Sequence, residues 1–238
     1  MGTKVKKTKK VTGCFLKFGE KQHLESLLKK GSIFCRPMHY FANLKDENFI
    51  GDKYETVFAI KNILGKIEYK NGADFKPLYI GPLQQTASYF PNQICGNLFC
   101  LYFHDISHQV LDVTAGGDID HIKEWVILII DAQEFKNRIE SALKFNNMEF
   151  ESRFVEYEDF SKYNGWKSQF KKDIGFTHQK EFRFWIKCPV LDDYSFEIGS
   201  IEDIARLMKS EELKSMGFKK IGSDLKSHFE KQNDLRSV

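Results

Sequence analysis

Gln179, Glu181, Arg183 and Trp185 stand at alternate positions. That spacing could bring an amide, a carboxylate and a guanidinium into one cluster. In a strand, alternate residues share a face at roughly 6.5–7 Å intervals. The interleaved Phe182, Phe184 and Ile186 would then form an apolar face turned towards a core. Two readings follow from the alternation. Either the polar set is the solvated side of a half-buried strand, or Gln179 and Glu181 form a Gln-x-Glu pair at a strand entry, on the floor of a cleft. In the second, Glu181 is the functional carboxylate, Arg183 pairs with it and keeps it ionised, and Trp185 closes that end. The spacing does not choose between them. Both place Glu181 away from the core, so Glu181→Gln is expected to cost less than ~1 kcal/mol, as at ordinary surface sites.

A second acidic group lies in the Gly-containing stretch 43–55, which reads as a loop. Its Asp52 and Glu55 suit surface charge, a cap, or a site. With Glu181 they would make an oxygen donor set for a divalent metal in a nuclease-type toxin. The three are not expected to converge, and no metal ligand is assigned. His104 and His108 are four apart, and His121 follows, but no Glu-bearing zinc-protease pattern accompanies them. They read as incidental loop histidines. Cys14, Cys35, Cys95, Cys100 and Cys188 are scattered among apolar neighbours without Cys-x-x-Cys spacing. They read as reduced structural thiols, and the expected compartment is cytoplasmic.

The elements that must position these groups can be read in order. Residues 11–18 suit a strand. Residues 20–30 suit a helix, with Leu24, Leu27 and Leu28 on one stripe and Gly31 as its stop. A strand at 32–35 and a short helical turn opened by Pro37 follow. Strands are predicted at 54–60, 66–69 and 78–80, with Asn71-Gly72 as a hairpin signal and Pro77, Gly81 and Pro82 as interruptions. Further strands are predicted at 96–103, 124–130, 150–157 and 194–198. A helix capped by Asp131 carries Phe135, Ile139 and Leu143. Residues 159–172 are ambiguous, with Trp166 and Phe170 at helical spacing, and Ser200 to Asp203 suits the start of a short helix.

Of the 238 residues 42% are hydrophobic, 22 of them Phe, which favours an aromatic-rich core over disorder. The net charge of +3 is too small to imply whole-body attraction to nucleic acid. The basic excess is local: Lys4, Lys6, Lys7, Lys9 and Lys10 make residues 1–10 a frayed tail, with 11–238 as one domain. No apolar signal region follows that tail, and the longest apolar run, 125–130, is too short to cross a bilayer. A membrane partner is therefore not expected. No Gly-x-Gly-x-x-Gly, phosphate-binding loop or Gly-x-Ser-x-Gly elbow occurs. The expected class is α+β, one domain with a mostly antiparallel split sheet and a few flanking helices.

Several motifs together resemble a widespread set of uncharacterised bacterial proteins, of the kind found in phage defence, toxins or mobile elements. They are Phe15-Leu16-Lys17-Phe18-Gly19 before a Leu-rich helix, Gly51-Asp52 with Tyr54-Glu55, and Phe176 with Gln179-Lys180-Glu181-Phe182-Arg183. That architecture is distantly similar to the ADP-ribosyltransferase fold, whose late strand begins with a Gln-x-Glu or Glu-x-Glu pair. The resemblance implies NAD as cosubstrate and a protein or nucleic-acid acceptor. Glu181 would stabilise an oxocarbenium-like ribose, and Gln179 would orient the acceptor. Lys17 or Arg36 would hold the pyrophosphate. The first-strand Arg or His of that fold is Lys17-Phe18 here, and no Ser-Thr-Ser triplet occurs. Tyr40 or Tyr54 would therefore take the nicotinamide-stacking role. A non-catalytic nucleotide- or protein-binding module on the same cleft is the alternative.

Overall fold

A computed structural model describes residues 13–44, 51–89, 96–105, 123–188 and 192–216. The basic stretch 1–10, His108, His121 and Cys95 lie outside the described residues. In chain order, β1 (Cys14–Gly19) leads into α1 (Lys21–Lys30), which ends on Gly31 in the left-handed conformation, φ 67°. β2 (Ser32–Pro37) and α2 (Met38–Asn43) follow. β3 (Val57–Asn71) and β4 (Asp74–Tyr89) form one long hairpin. Next come β5 (Asn97–His104), β6 (Trp125–Ile129) and α3 (Ala132–Phe145). Asp131 caps α3 by accepting the Glu134 N–H at 2.9 Å. Four short strands then run as β7 (Phe150–Phe154), β8 (Glu156–Glu158), β9 (Gly165–Trp166) and β10 (Lys171–Asp173). A 3₁₀ turn (Ile174–Gln179) precedes β11 (Glu181–Ile186), and β12 (Tyr194–Glu197) and β13 (Ala205–Lys209) close the sheet.

The class is α+β, a single body whose eight-stranded main sheet is antiparallel at every pairing. The sheet forks at β5. One edge of β5 pairs with β1 at residues 102–104 and with β2 at residues 97–98, while the other edge carries β11 and then β7. Where β1 has left β5, the Lys17 ammonium donates to the Cys100 carbonyl at 2.8 Å and supplies a donor that no strand offers there. One face of the sheet takes α1 and α3. Their Leu24, Leu27, Phe135 and Ile139 close over Phe15, Phe99 and Phe184. β1 and β11 both lie inside the sheet, as the alternation of their apolar residues implies.

Four local expectations need correction. The strands expected at 66–69 and 78–80 are parts of one uninterrupted ribbon. β4 absorbs its prolines and glycine through register shifts at Ile63/Leu64 and Ile67/Glu68 rather than ending at them. Residues 150–157 divide at Val155, whose N–H bonds the Glu181 carbonyl, so β8 peels away to pair in parallel with β10. The ambiguous 159–172 is extended and turned: Trp166 stacks on Phe58, 5.4 Å between ring centroids, and Phe170 is buried. The helix expected from Ser200 is absent. After a turn at 202–204 the chain forms β13 along β6. β6 is apolar on both faces, and an unpaired edge there would leave buried backbone groups without partners.

Candidate functional site

Glu181 and Arg183 emerge from β11 on the face opposite the helices, but that face is closed to solvent. Glu181 is 6% exposed and Arg183 1%. Two irregular segments cover it: the 51–55 turn before β3 and the 165–173 stretch that runs from β9 through β10. Arg183 is the hub. Its Nε donates to Glu181 Oε1, its Nη1 to Glu55 Oε1 and to the Gln169 carbonyl, and its Nη2 to Glu55 Oε2 at 3.0 Å and Glu181 Oε2 at 3.3 Å. This is the fork geometry in which guanidinium binds carboxylates most strongly. Lys172 completes the second half, donating to Gln179 Oε1 at 2.7 Å and Glu181 Oε2 at 3.1 Å.

The electrostatics follow from this packing. Burial disfavours the charged form of Glu181, yet Arg183 and then Lys172 outweigh it and hold the carboxyl below its ordinary range. Glu55 behaves alike, with Arg183 the main counterweight. Asp52, beside them, goes the other way: burial and the neighbouring Glu55 charge raise its pKa. Its Oδ1 accepts from the Tyr54 N–H at 2.8 Å, but its Oδ2 has no hydrogen-bond partner. Lys167 is its counterpart, a buried ammonium without a hydrogen bond and with its pKa lowered by burial. Such groups carry a desolvation cost, which the attraction between Lys167 and the Glu55 and Asp52 carboxylates offsets only in part.

Glu181 also lines a pocket of about 300 Å³ between β5, β7 and β8, with Phe103, His104, Phe154 and Tyr157 on its walls. The Tyr157 hydroxyl accepts the Glu181 N–H at 2.9 Å. The strand entry is sharp, because Lys180 is left-handed at φ 39°. Gln179 belongs to the 3₁₀ turn rather than to the strand, and Lys172 is what joins it to Glu181.

The four residues expected to hold a dinucleotide are each engaged by partners within the chain. Lys17 is tied to the Cys100 carbonyl and lies 4.8 Å over the Phe99 ring. Arg36 sits at the outer end of β2, paired with Asp193 at 3.3 Å and 4.4 Å over the Tyr40 ring. Tyr54 packs edge-on against Phe160 and donates to Gln85 at the root of the hairpin. Arg36 and Tyr40 thus share one spot, while Lys17 and Tyr54 have other partners. Of the three carboxylates not expected to converge on one metal, Glu55 and Glu181 meet on Arg183, with Asp52 adjoining Glu55. Glu55 and Glu181 are bridged by the Arg183 guanidinium, which donates to all four of their carboxylate oxygens, while Asp52 makes no bond to it. Among the described residues no group of three His, Cys, Asp or Glu is placed to hold a metal.

Sequence reasoning missed Lys167 and Lys172, the cations that complete the cluster. The available signal was three lysines, Lys167, Lys171 and Lys172, inside an aromatic stretch from Trp166 to Phe176. Cys14, Cys35, Cys100 and Cys188 are free thiols. Among the described residues no helix is long and apolar enough to cross a membrane. No protein-family model matches the chain, and no curated protein or solved structure matches it either.

Proposed function

We propose that this chain is a glycosyl-transfer enzyme of the ADP-ribosyltransferase type, with Glu181 as the carboxylate facing the reacting sugar. The observation that carries this reading is a single one. Glu181 is kept ionised by Arg183 and Lys172 while it lines the pocket beside Tyr157. A carboxylate with a depressed pKa is a poor proton shuttle at neutral pH. It suits a different task, that of a fixed negative charge next to an oxocarbenium-like centre, preorganised by its own hydrogen bonds. Gln179, held to the same Lys172, is the residue assigned to orient the acceptor. The pocket takes the sugar and its leaving base rather than a whole dinucleotide, and the residues that would bind the remainder are not those expected from the first two strands.

One observation favours a second reading, a binding module without turnover. Both Glu181 oxygens already accept from Arg183 or Lys172, which offsets the charge that catalysis would use. Nicotinamide release from NAD, measured for wild type and Glu181→Gln with thermal melts alongside, separates the two. The enzyme reading expects release by wild type and a loss on the order of 10²–10³ in rate in the variant, with a folded variant in the melt. Release that is equal in both proteins rejects Glu181 as the carboxylate. Saturable NAD or ADP-ribose binding without release by wild type supports the module.

A further inference from the structure

The β3–β4 ribbon leaves the body as an arm. Its root is clamped: Asn62 Nδ2 donates to the Phe160 and Tyr163 carbonyls at 2.9 and 2.6 Å, and Gln85 Nε2 donates to Asn62 Oδ1 at 2.9 Å. Beyond the root, Leu64, Ile67, Tyr69, Phe75, Leu78 and Ile80 are 46–71% exposed. At ~150–250 Å² for a large side chain, this leaves on the order of 700 Å² of apolar surface open. By the β3–β4 register it is divided between the two faces of the ribbon, with Ile67 and Tyr69 on one and Leu64, Phe75 and Ile80 on the other. A two-stranded ribbon alone is also marginal in water.

The two edges of the arm differ. β4 carries Pro77 and Pro82, which have no N–H to donate, and the register shifts place its extra residues at Leu78 and Leu83. Such an edge resists further pairing. β3 has no proline and no extra residue between Lys61 and Asn71. β9 pairs only with Ala59 and Ile60, and the Asn62 N–H is taken by Asn164 Oδ1 at 2.6 Å. Among the described residues no strand pairs with the β3 edge from Ile63 to Asn71. The midpoint of that open edge is Ile67.

We infer that a second copy of this chain occupies this edge, its β3 pairing antiparallel with the first about a two-fold axis at Ile67, so that four strands run β4-β3-β3-β4. A self-complementary edge of this kind is what a closed two-fold dimer requires, and strand addition is a recurrent mode of association. The register is chemically consistent. Ile67 meets Ile67, Gly65 lies opposite Tyr69, and Lys66 lies opposite Glu68 twice. Lys66 and Glu68 already form an ion pair within one strand, so the dimer closes a ring of four alternating charges. In this register the arm tip of each copy comes opposite Lys61 and Asn62 of the other, next to the end of its β9 at Gly165.

The test is sedimentation of the full chain across concentrations. The expected species is twice the 27.8 kDa chain mass. Lys66→Glu and Glu68→Lys should each weaken association about tenfold or more, since each puts like charges opposite one another at both symmetric positions. The double swap should restore it. Ile67→Cys should cross-link to itself under mild oxidation, well above the background of the native thiols, whereas Leu78→Cys should not. Thermal melts of the variants, matched to wild type at concentrations where the chain is a monomer, show that the body is intact. A chain that stays monomeric overturns the inference. So does a dimer that ignores the single swaps or is not rescued by the double swap, and so does a monomer that associates only with added vesicles or RNA.

Discussion

On one face of β11, Phe182, Phe184 and Ile186 are sealed by Phe15, Phe99 and the α3 residues Phe135 and Ile139. On the other face, Glu181 and Arg183 are nearly as inaccessible, sealed by Glu55, Lys172 and the Gln169 carbonyl. Strict alternation of polar and apolar residues therefore separates two chemistries of burial here, and it does not separate inside from outside. The apolar face gains from every group removed from water. The ionic face first loses hydration and recovers it through Coulomb attraction and charge-assisted hydrogen bonds. Only the ionic face should thus respond to pH.

The largest effects are expected from removing the centre of each face. Phe184→Ala should cost about 3–5 kcal/mol by chemical denaturation, with little dependence on pH, because it removes buried apolar volume. Arg183→Met should cost a similar ~3–5 kcal/mol at pH 7, since it strands Glu55 and Glu181 as buried charges. The pH profile distinguishes them. In the wild type both glutamates have depressed pKa values, so their contribution is complete above about 4.5, the ordinary carboxyl value, and is lost as pH falls through the folded pKa. Without Arg183, burial dominates and raises those pKa values, so stability should fall as pH rises above about 4.5. The Arg183→Met deficit should therefore shrink from pH 7 to pH 4, while that of Phe184→Ala stays level. A deficit that is level for both would mean the ionic face contributes by packing alone. Glu181→Gln belongs to this group as well. Its expected cost rises from the surface value of less than ~1 kcal/mol to about 1–3 kcal/mol, because Gln weakens buried bonds from Arg183 and Lys172.

What could be read from the chain alone was whatever depends on local periodicity. β1, α1 with its Gly31 stop, β5, β6, α3 with its Asp131 cap, and the apolar side of β11 all carry their signal within a few residues. The position of Glu181 beside Gln179 was visible in the same way. What was not visible depends on partners distant in sequence. Nothing in Asn48 to Glu55 states that Glu55 will bind a guanidinium 128 positions later. Lys172 reads as surface charge until β10 turns it inward against Tyr157 and Glu181. The sequence of β13 carries no strand signal because its pairing with β6, rather than its own composition, decides its conformation. The prolines of β4 signal a break, whereas the register shifts that absorb them have no sequence signature of their own.

A smaller effect is expected where the arm joins the body. Asn62 is buried, and its side chain satisfies two carbonyls and one amide around the 160–163 turn. Asn62→Ala removes the donor to the Tyr163 carbonyl, while the Phe160 carbonyl keeps its bond from Gln85 at 2.7 Å, at a cost of about 1–3 kcal/mol. Hydrogen exchange should quicken along β3 and β4 and stay slow in β1 and β11. If protection falls equally everywhere, the arm and the main sheet unfold as one unit, and the root is not a separate hinge.

The smallest effect is expected from a residue of the same chemical kind as Phe184 in the opposite setting. Leu78 is an extra residue of the β4 register shift and is 70% exposed. It contributes an apolar side chain to the arm but fills no cavity, so its removal leaves no void. Leu78→Ser should change stability by no more than about 0.5 kcal/mol, as at other surface sites, and should leave association through the β3 edge intact because the β4 edge takes no part in it. A loss above ~1 kcal/mol at concentrations where the chain is a monomer would show that Leu78 is covered by the chain itself. The arm would then be part of the folded core, and its apolar surface would need no second copy to explain it.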